Sequence, residues 1–226
     1  MAHAEENPNT KVSRQIYEAF VERAVDMKIQ PALATKWKTT DPNTWVFSLR
    51  EDVKFSDGSK MTSADVVFSI LRAKQRTSDF KEYISTISGV EAVGDYSVKI
   101  MTSKPNPILL NQLSNIFIMS KAWSEKNFAM SPQNWDAGQE TFSATNALGT
   151  GPFKITLREP NTKTVFKRNM HWWGEMKDKD VTQIELLTIK NAATRVAALL
   201  SGEIDLVTDA PVQDLKRIGS SSAHKS

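Results

Sequence analysis

Cysteine is missing from all 226 residues, which excludes a disulfide framework, a thiol nucleophile and a thiolate metal site. That absence fits an exported bacterial protein, and many cytosolic ones too. No apolar run approaches the roughly 18 residues that a membrane-spanning helix needs. The start carries no charged region followed by an apolar stretch, so a secretion leader is expected to have been removed if the protein is exported. Charge of one sign is scarce: 29 Lys and Arg against 26 Asp and Glu leave a net charge of +3. With no basic stripe interleaved with aromatics, nucleic acid is not an expected partner. Histidine is sparse, at His3, His171 and His224. His3 and His224 sit at the ragged ends, and His171 has no second histidine or carboxylate partner at ligand spacing, so no metal site is expected. His171, beside Trp172 and Trp173, reads as a packing or surface residue. G-x-S-x-G does not occur, and the acidic pairs Glu5-Glu6 and Glu51-Asp52 read as solvated surface. No residue pattern makes a positive case for an enzyme, and no cofactor is expected.

What is present is an ordinary globular composition, 40% hydrophobic and 24% charged, in a chain long enough to bury roughly 70% of its unfolded surface. Val12, Ile16, Ala19 and Phe20 at helical spacing predict a short helix after a polar opening. Trp45, Phe47 and Leu49 alternate with Val46, Ser48 and Arg50, the signature of a half-buried strand. Val53 to Phe55 reads as a second strand ending at the turn Ser56-Asp57-Gly58-Ser59. Thr62 and Asp65 open a helix to about Lys74, its buried face drawn from Val66, Val67, Ile70 and Leu71.

Beyond it come a strand over Tyr96 to Met101, the breaker Pro105-Asn106-Pro107, and a long surface loop from Ser131 to Asn146. Gly149-Thr150-Gly151-Pro152 lacks the Gly-Lys-Ser/Thr ending of a phosphate loop and leads into a strand, so it reads as a tight turn. Strands are expected at Phe153 to Leu157, Thr164 to Arg168 and Thr182 to Ile189. Asn191 caps a helix with Val196, Leu199 and Leu200 facing the core, and Gly202 stops it. Ile204 to Val207 reads as a short buried strand, with Asp205 holding a turn by hydrogen bonds. A last helix starts near Pro211. Helices and strands mix without strict alternation, so the class is α/β or α+β with a mixed sheet.

Three stretches, taken together, resemble the extracytoplasmic solute-binding proteins that serve peptide, nickel and related ABC importers. The first is Ile16-Tyr17-Glu18-Ala19-Phe20 followed by Pro31 to Trp37. The second runs from Trp45 to Arg50, through Val53 to Gly58, to Thr62 to Val66. The third runs from Gly149 to Phe153, through Arg168-Asn169 and Trp172-Trp173, to Ser201 to Asp205. Their order and spacing match over nearly Thr10 to Ile218. They are mostly architectural residues, so they speak for the fold more than for the ligand.

The resemblance implies an α/β lobe of the type II periplasmic binding protein, with a mixed sheet and an inserted smaller α/β subdomain. Residues 1–35 are expected to form the first part of lobe I, 36–145 the inserted subdomain, 146–218 the return into lobe I, and 219–226 a disordered tail. Relatives are about twice this length because two lobes need two cores, so the chain is expected to stop before the second lobe. The function implied is capture of peptides or a similar small solute in the periplasm and delivery to an inner-membrane ABC permease. Nickel chelates, haem, opines and sugars stay open as ligands. A non-transporting interaction or chaperone-like module on the same lobe is the alternative.

Four places are implied to face the cleft: the segment near Asn9, Phe80 after the capped helix, the turn near Asn115, and Thr208-Asp209. Phe80 could offer an apolar wall, and Asn115 and Asp209 could bond a peptide-like ligand. The plainer reading makes Phe80 core and the others surface. With one wall of a clamp, binding is expected to be no tighter than about millimolar. Exposed sheet edge is expected to favour a homodimer or strand exchange.

Overall fold

A computed structural model describes residues 7–134, 136–138, 140–177 and 180–221, with side chains from residue 12 onward. The chain divides into two compact units, one of residues 1–158 and 165–184, the other of residues 159–164 and 185–226. Among the described residues no helix is long and apolar enough to cross a membrane.

The first unit opens with helix α1 (Asn7–Ile16). The helix ends earlier than the apolar spacing suggests. Tyr17 to Phe20 run in a different conformation because the backbone there has better partners: Phe20 N donates to Ile116 O, and Ile118 N donates to Glu18 O. The hairpin β1 (Val21–Arg23) and β2 (Ile29–Pro31) follows. Strands β3 (Ala34–Asp41), β4 (Thr44–Leu49), β5 (Ile87–Ala92) and β6 (Ser97–Thr102) form a sheet in the order β3-β4-β6-β5. Every pairing in that sheet is antiparallel. The period-two pattern of β4 works as expected: Phe47 and Leu49 are buried, and Phe47 faces Val98 across the ladder. Val53 to Phe55 contributes only a single bridge, Lys54 to Lys60.

Helix α2 (Ser63–Ala73) packs near β5 and β6. Its start is held by the Asp65 carboxylate, which accepts the Thr62 backbone N–H at 2.8 Å, while the Thr62 hydroxyl donates to the same carboxylate at 3.3 Å. The acidic half of the box, more than the hydroxyl, caps this helix. Val66 and Ile70 are fully buried, but Leu71 is 51% exposed, and Phe68 and Ala73 take the buried positions beside them. Short helices α3 (Leu109–Leu113) and α4 (Lys121–Lys126) complete this part. One apolar core joins Phe20 and Leu33 to Phe47, Ile70, Ile100 and Leu148. Segments flanking 36–145 therefore share a core with it.

Buried among these apolar residues is Arg72, 2% exposed, whose Nε and terminal nitrogens donate to the carbonyls of Ala129 and Ser131 at 3.0 and 2.9 Å. Burial lowers its pKa to about 10, partly offset by Tyr17. These bonds anchor the start of the 131–146 loop, which contains a short 3-10 turn at Phe142–Ala144 with Ser143 buried.

Strands β7 (Phe153–Glu159), β8 (Lys163–Arg168) and β9 (Gln183–Leu187) make a three-stranded sheet in that order. In the second unit, α5 (Ala192–Ser201) is capped as its sequence predicts: Asn191 Oδ1 accepts the Thr194 N–H at 3.0 Å, and Gly202 ends the helix at φ +77°. Val196 and Leu199 are buried. Residues 204–207 are not a strand, and both Asp205 and Leu206 are exposed. A strand needs a partner ladder, and no pairing reaches this stretch among the described residues. Asp205 is therefore not the buried turn-holding carboxylate its sequence context suggests. After a 3-10 turn at Val212–Asp214 comes α6 (Leu215–Gly219). Of the expected tail, residues 222–226 lie outside the described residues.

Candidate functional site

The segments that carry the family resemblance converge on one carboxylate. Gly151 N donates to the Ile16 carbonyl at the end of α1, at 2.7 Å. A β-carbon at Gly149 would lie 2.1 Å from the Ile16 oxygen, and one at Gly151 would lie 2.7 Å from it. Only glycine lets these two backbones touch. The same turn receives Ser56 N on the Gly149 carbonyl at 3.0 Å. Asn169 then ties the next segment down: its Nδ2 donates to Gly151 O at 2.8 Å, its N–H to Pro152 O at 2.8 Å, and its Oδ1 accepts His171 N at 3.0 Å. Gly58, at φ +90°, brings its turn against the His171 ring.

That scaffold places both indoles of Trp172-Trp173 over Glu18. Trp172 Nε1 donates to Glu18 Oε1 at 3.2 Å, and Trp173 Nε1 donates to Oε2 at 3.0 Å. The rings lie 6.1 Å apart at 49°, and the Trp172 ring lies where a side chain at residue 174 would collide, which Gly174 avoids. The Arg50 guanidinium sits 3.9 Å over the Trp173 ring and also pairs with Asp52 at 2.7 Å. Burial pushes the Glu18 carboxyl above its usual pKa and the Glu22 charge adds to this, while the two indoles and the Thr150 hydroxyl pull the other way. Thr150 is fully buried, and its hydroxyl lies close enough to Glu18 to favour the charged carboxylate. The neighbouring Tyr17 hydroxyl is buried without a bonded partner among the described residues, and burial raises its pKa.

Glu18, the two indoles, Arg14, Arg23 and Asn115 line a cavity of about 550 Å³. That volume suits a small-molecule or short-peptide occupant. Its wall mixes two guanidinium groups with the carboxylates of Glu18 and Glu22, and Arg14 leans over the Phe117 ring at 5.7 Å. Among the described residues no cluster of metal-ligating side chains occurs.

The residues singled out from the sequence fall in different places. Asn115 does line this cavity, with its Nδ2 donating to the Asn111 carbonyl at 3.2 Å and its oxygen left for other partners. Phe80 is buried in the core of the first unit, 5.7 Å from the Tyr83 ring, and is not a lining residue. Its packing role matches the plainer reading. Asn9 lies on α1, and its side chain is outside the described residues. Thr208 and Asp209 are exposed in the second unit; Thr208 Oγ1 donates to Asp209 Oδ2 at 3.2 Å, and the Asp209 carbonyl accepts from Arg195 at 3.2 Å. Sequence reasoning missed Glu18 and the tryptophan pair as cavity residues. The available signal was a lone carboxylate inside the apolar run Ile16 to Phe20, since a charge flanked by core residues needs donors.

Residues 28–225 match the family described as bacterial extracellular solute-binding proteins, family 5 Middle. The periplasmic murein peptide-binding protein MppA of Escherichia coli is 26% identical over 223 residues, 90% of this chain and 40% of its own length. The nickel-binding periplasmic protein of the same organism is 28% identical over 197 residues, 85% of this chain and 35% of its own length. Among solved structures, the binding protein AgaA from A. tumefaciens R10, in complex with agropinic acid, superposes with a TM-score of 0.80 at 27% identity. That match covers 92% of this chain and 40% of AgaA. The chain therefore spans 35–40% of the length of these relatives. With the matched family covering most of its residues, the chain belongs to the family 5 bacterial extracellular solute-binding proteins.

Proposed function

We propose that this chain supplies one wall of the solute-binding site of an ABC importer's capture subunit, working in the periplasm and delivering its ligand to a membrane permease. The observation that carries this reading is the cavity of about 550 Å³ walled by Glu18, the Trp172-Trp173 pair, Arg14, Arg23 and Asn115. Indole faces supply apolar area, while groups of both charges and an amide supply orientation, the combination expected for a zwitterionic or amide-rich occupant. Short peptides fit that description best, in keeping with the murein-peptide binding named for MppA. The nickel and agropinic acid named for the other relatives mark chelates and opines as the competing ligand classes.

Titrating di- and tripeptides into the chain, with indole fluorescence as the readout, tests the reading. A saturable change with half-saturation near millimolar is expected, the weak end of the affinity scale, and it should vanish in Arg14→Gln/Arg23→Gln. If peptides leave the signal flat while nickel–histidine or an opine saturates it, the peptide assignment is wrong and the ligand class is replaced.

A further inference from the structure

We propose that Glu18 is a proton-sensitive positioning residue, which at neutral pH holds both cavity-wall indoles in place with one carboxylate oxygen each and on protonation releases one of them. The proposal deepens the solute-binding reading of the same cavity, but its geometry stands without any ligand. Each oxygen serves a different ring: Oε1 accepts from Trp172 at 3.2 Å and Oε2 from Trp173 at 3.0 Å. An ionised carboxylate offers acceptor sites on both oxygens. A carboxylic acid keeps one good acceptor; its other oxygen carries a proton, for which the Thr150 hydroxyl is the nearby acceptor, and becomes a poor acceptor for an indole N–H. The indole bond to the protonated oxygen is then much the weaker of the two, and it is the one released. The indole that loses its bond is half-buried, so its N–H needs a new partner and the ring must turn towards solvent.

The surroundings favour proton uptake at a higher pH than an ordinary carboxylate shows. Burial is the largest influence and raises the Glu18 pKa, with Glu22 on β1 adding to it; the indoles and the Thr150 hydroxyl oppose. The other charged groups around the site are Arg14 on α1 and Arg23 on β1, which line the cavity, and Arg50, which lies over Trp173 but is engaged by Asp52. His171 precedes the pair and packs against Gly58. Neither Asp52 nor His171 bonds to Glu18 among the described residues. The two indoles are adjacent in sequence and tied to Asn169, which is itself bonded to Gly151 and Pro152. The scaffold below them therefore stays put while a ring turns, so the device acts on the cavity wall and not on the fold.

The test is a pH titration of the chain without ligand, followed by the indole N–H resonances in 15N-correlated spectra. Trp172→Phe and Trp173→Phe assign the two signals. Both indole N–H signals are expected to move with one shared midpoint above the ordinary carboxylate range, and one should gain fast solvent exchange on the acid side. In Glu22→Gln the shared midpoint should fall, because a neighbouring negative charge has been removed. Glu18→Gln should abolish the titration, leaving one indole hydrogen-bonded and the other exchanging at all pH values, since an amide offers one acceptor and one donor. A circular dichroism melt of each variant establishes that it is folded. If Glu18→Gln does not fold, the wild-type and Glu22→Gln titrations still decide. Separate midpoints for the two indoles, or signals that do not move with pH, overturn the proposal. Because no ligand is present, that failure would leave the peptide-binding reading untouched, and failure of peptide binding would leave this one untouched.

Discussion

At the scale of single residues, the fold depends on places where backbone meets backbone. Gly151→Ala would put a methyl group 2.7 Å from the Ile16 carbonyl oxygen, with backbone on both sides unable to yield cheaply. A loss of about 1–3 kcal/mol or more is expected in urea melts, the range for forced overpacking. Asn169 and Asp205 make a contrasting pair. Asn169 is 2% exposed and uses both ends of its amide, so Asn169→Ala should cost about 1–3 kcal/mol through unpaired buried groups. Asp205 is exposed, and Asp205→Ala should stay within about 0.5 kcal/mol of wild type. Equal losses from the two would refute the placement of Asp205. Asp65 offers a pH signature. Burial raises its pKa despite the bonds from Lys121 and Thr62 that oppose it. The folded chain then holds that proton more tightly than the unfolded chain does. Stability contributed at this site is greatest below the ordinary carboxylate pKa and falls as pH rises through the raised one. The stability difference between wild type and Asp65→Asn should therefore shrink as pH is raised across that window. A difference that grows would mean that the opposing hydrogen bonds win over burial.

At the scale of elements, locally capped helix ends were legible in the sequence and strand partners were not. Asn191 and Gly202 bracket α5 at both ends as their chemistry dictates, because a cap acts over three or four residues of the same chain. Asn191→Ala should cost about 1 kcal/mol, seen as faster amide exchange within α5 and no change in α2. By contrast, α1 ends at Ile16 although the apolar spacing continues to Phe20, because Ile116 and Ile118 offer backbone partners to the segment that follows. Those residues lie roughly a hundred positions away, and a local window cannot contain them. The hairpin of β1 and β2 carries no local signal for a related reason. Its turn, Ala24 to Lys28, has neither glycine nor proline and uses Met27 at φ +70° instead.

At the scale of the whole chain, the two units differ in how much apolar surface they enclose. The first has a continuous core running from Phe20 to Leu148. In the second, Leu206 is 76% exposed, Val212 81% and Leu215 52%. Exposed apolar side chains grouped along one short segment favour association. The chain is expected to self-associate at high concentration, with a mass above the monomer in light scattering, and Leu206→Ser/Val212→Ser/Leu215→Ser should reduce it. A monomer at every concentration would mean that these side chains are too dispersed to form a contact.

The residues alone were enough to establish a cysteine-free α/β chain, the caps of α2 and α5, the alternating face of β4, and membership signals spread over three ordered motifs. Each of these rests on interactions within a few positions along the chain or on composition, where the physics is local. Which of those motif residues meet was decided only by tertiary structure. Ile16 to Phe20, Gly149 to Pro152 and Asn169 to Trp173 are far apart in sequence, and their convergence on Glu18 depends on close backbone approach at Gly149 and Gly151. The same packing sent Phe80 to the core and Asn115 to the cavity wall. An aromatic ring and an amide carry no local mark of which role they will take; the neighbours that bury one and leave the other open come from distant parts of the chain.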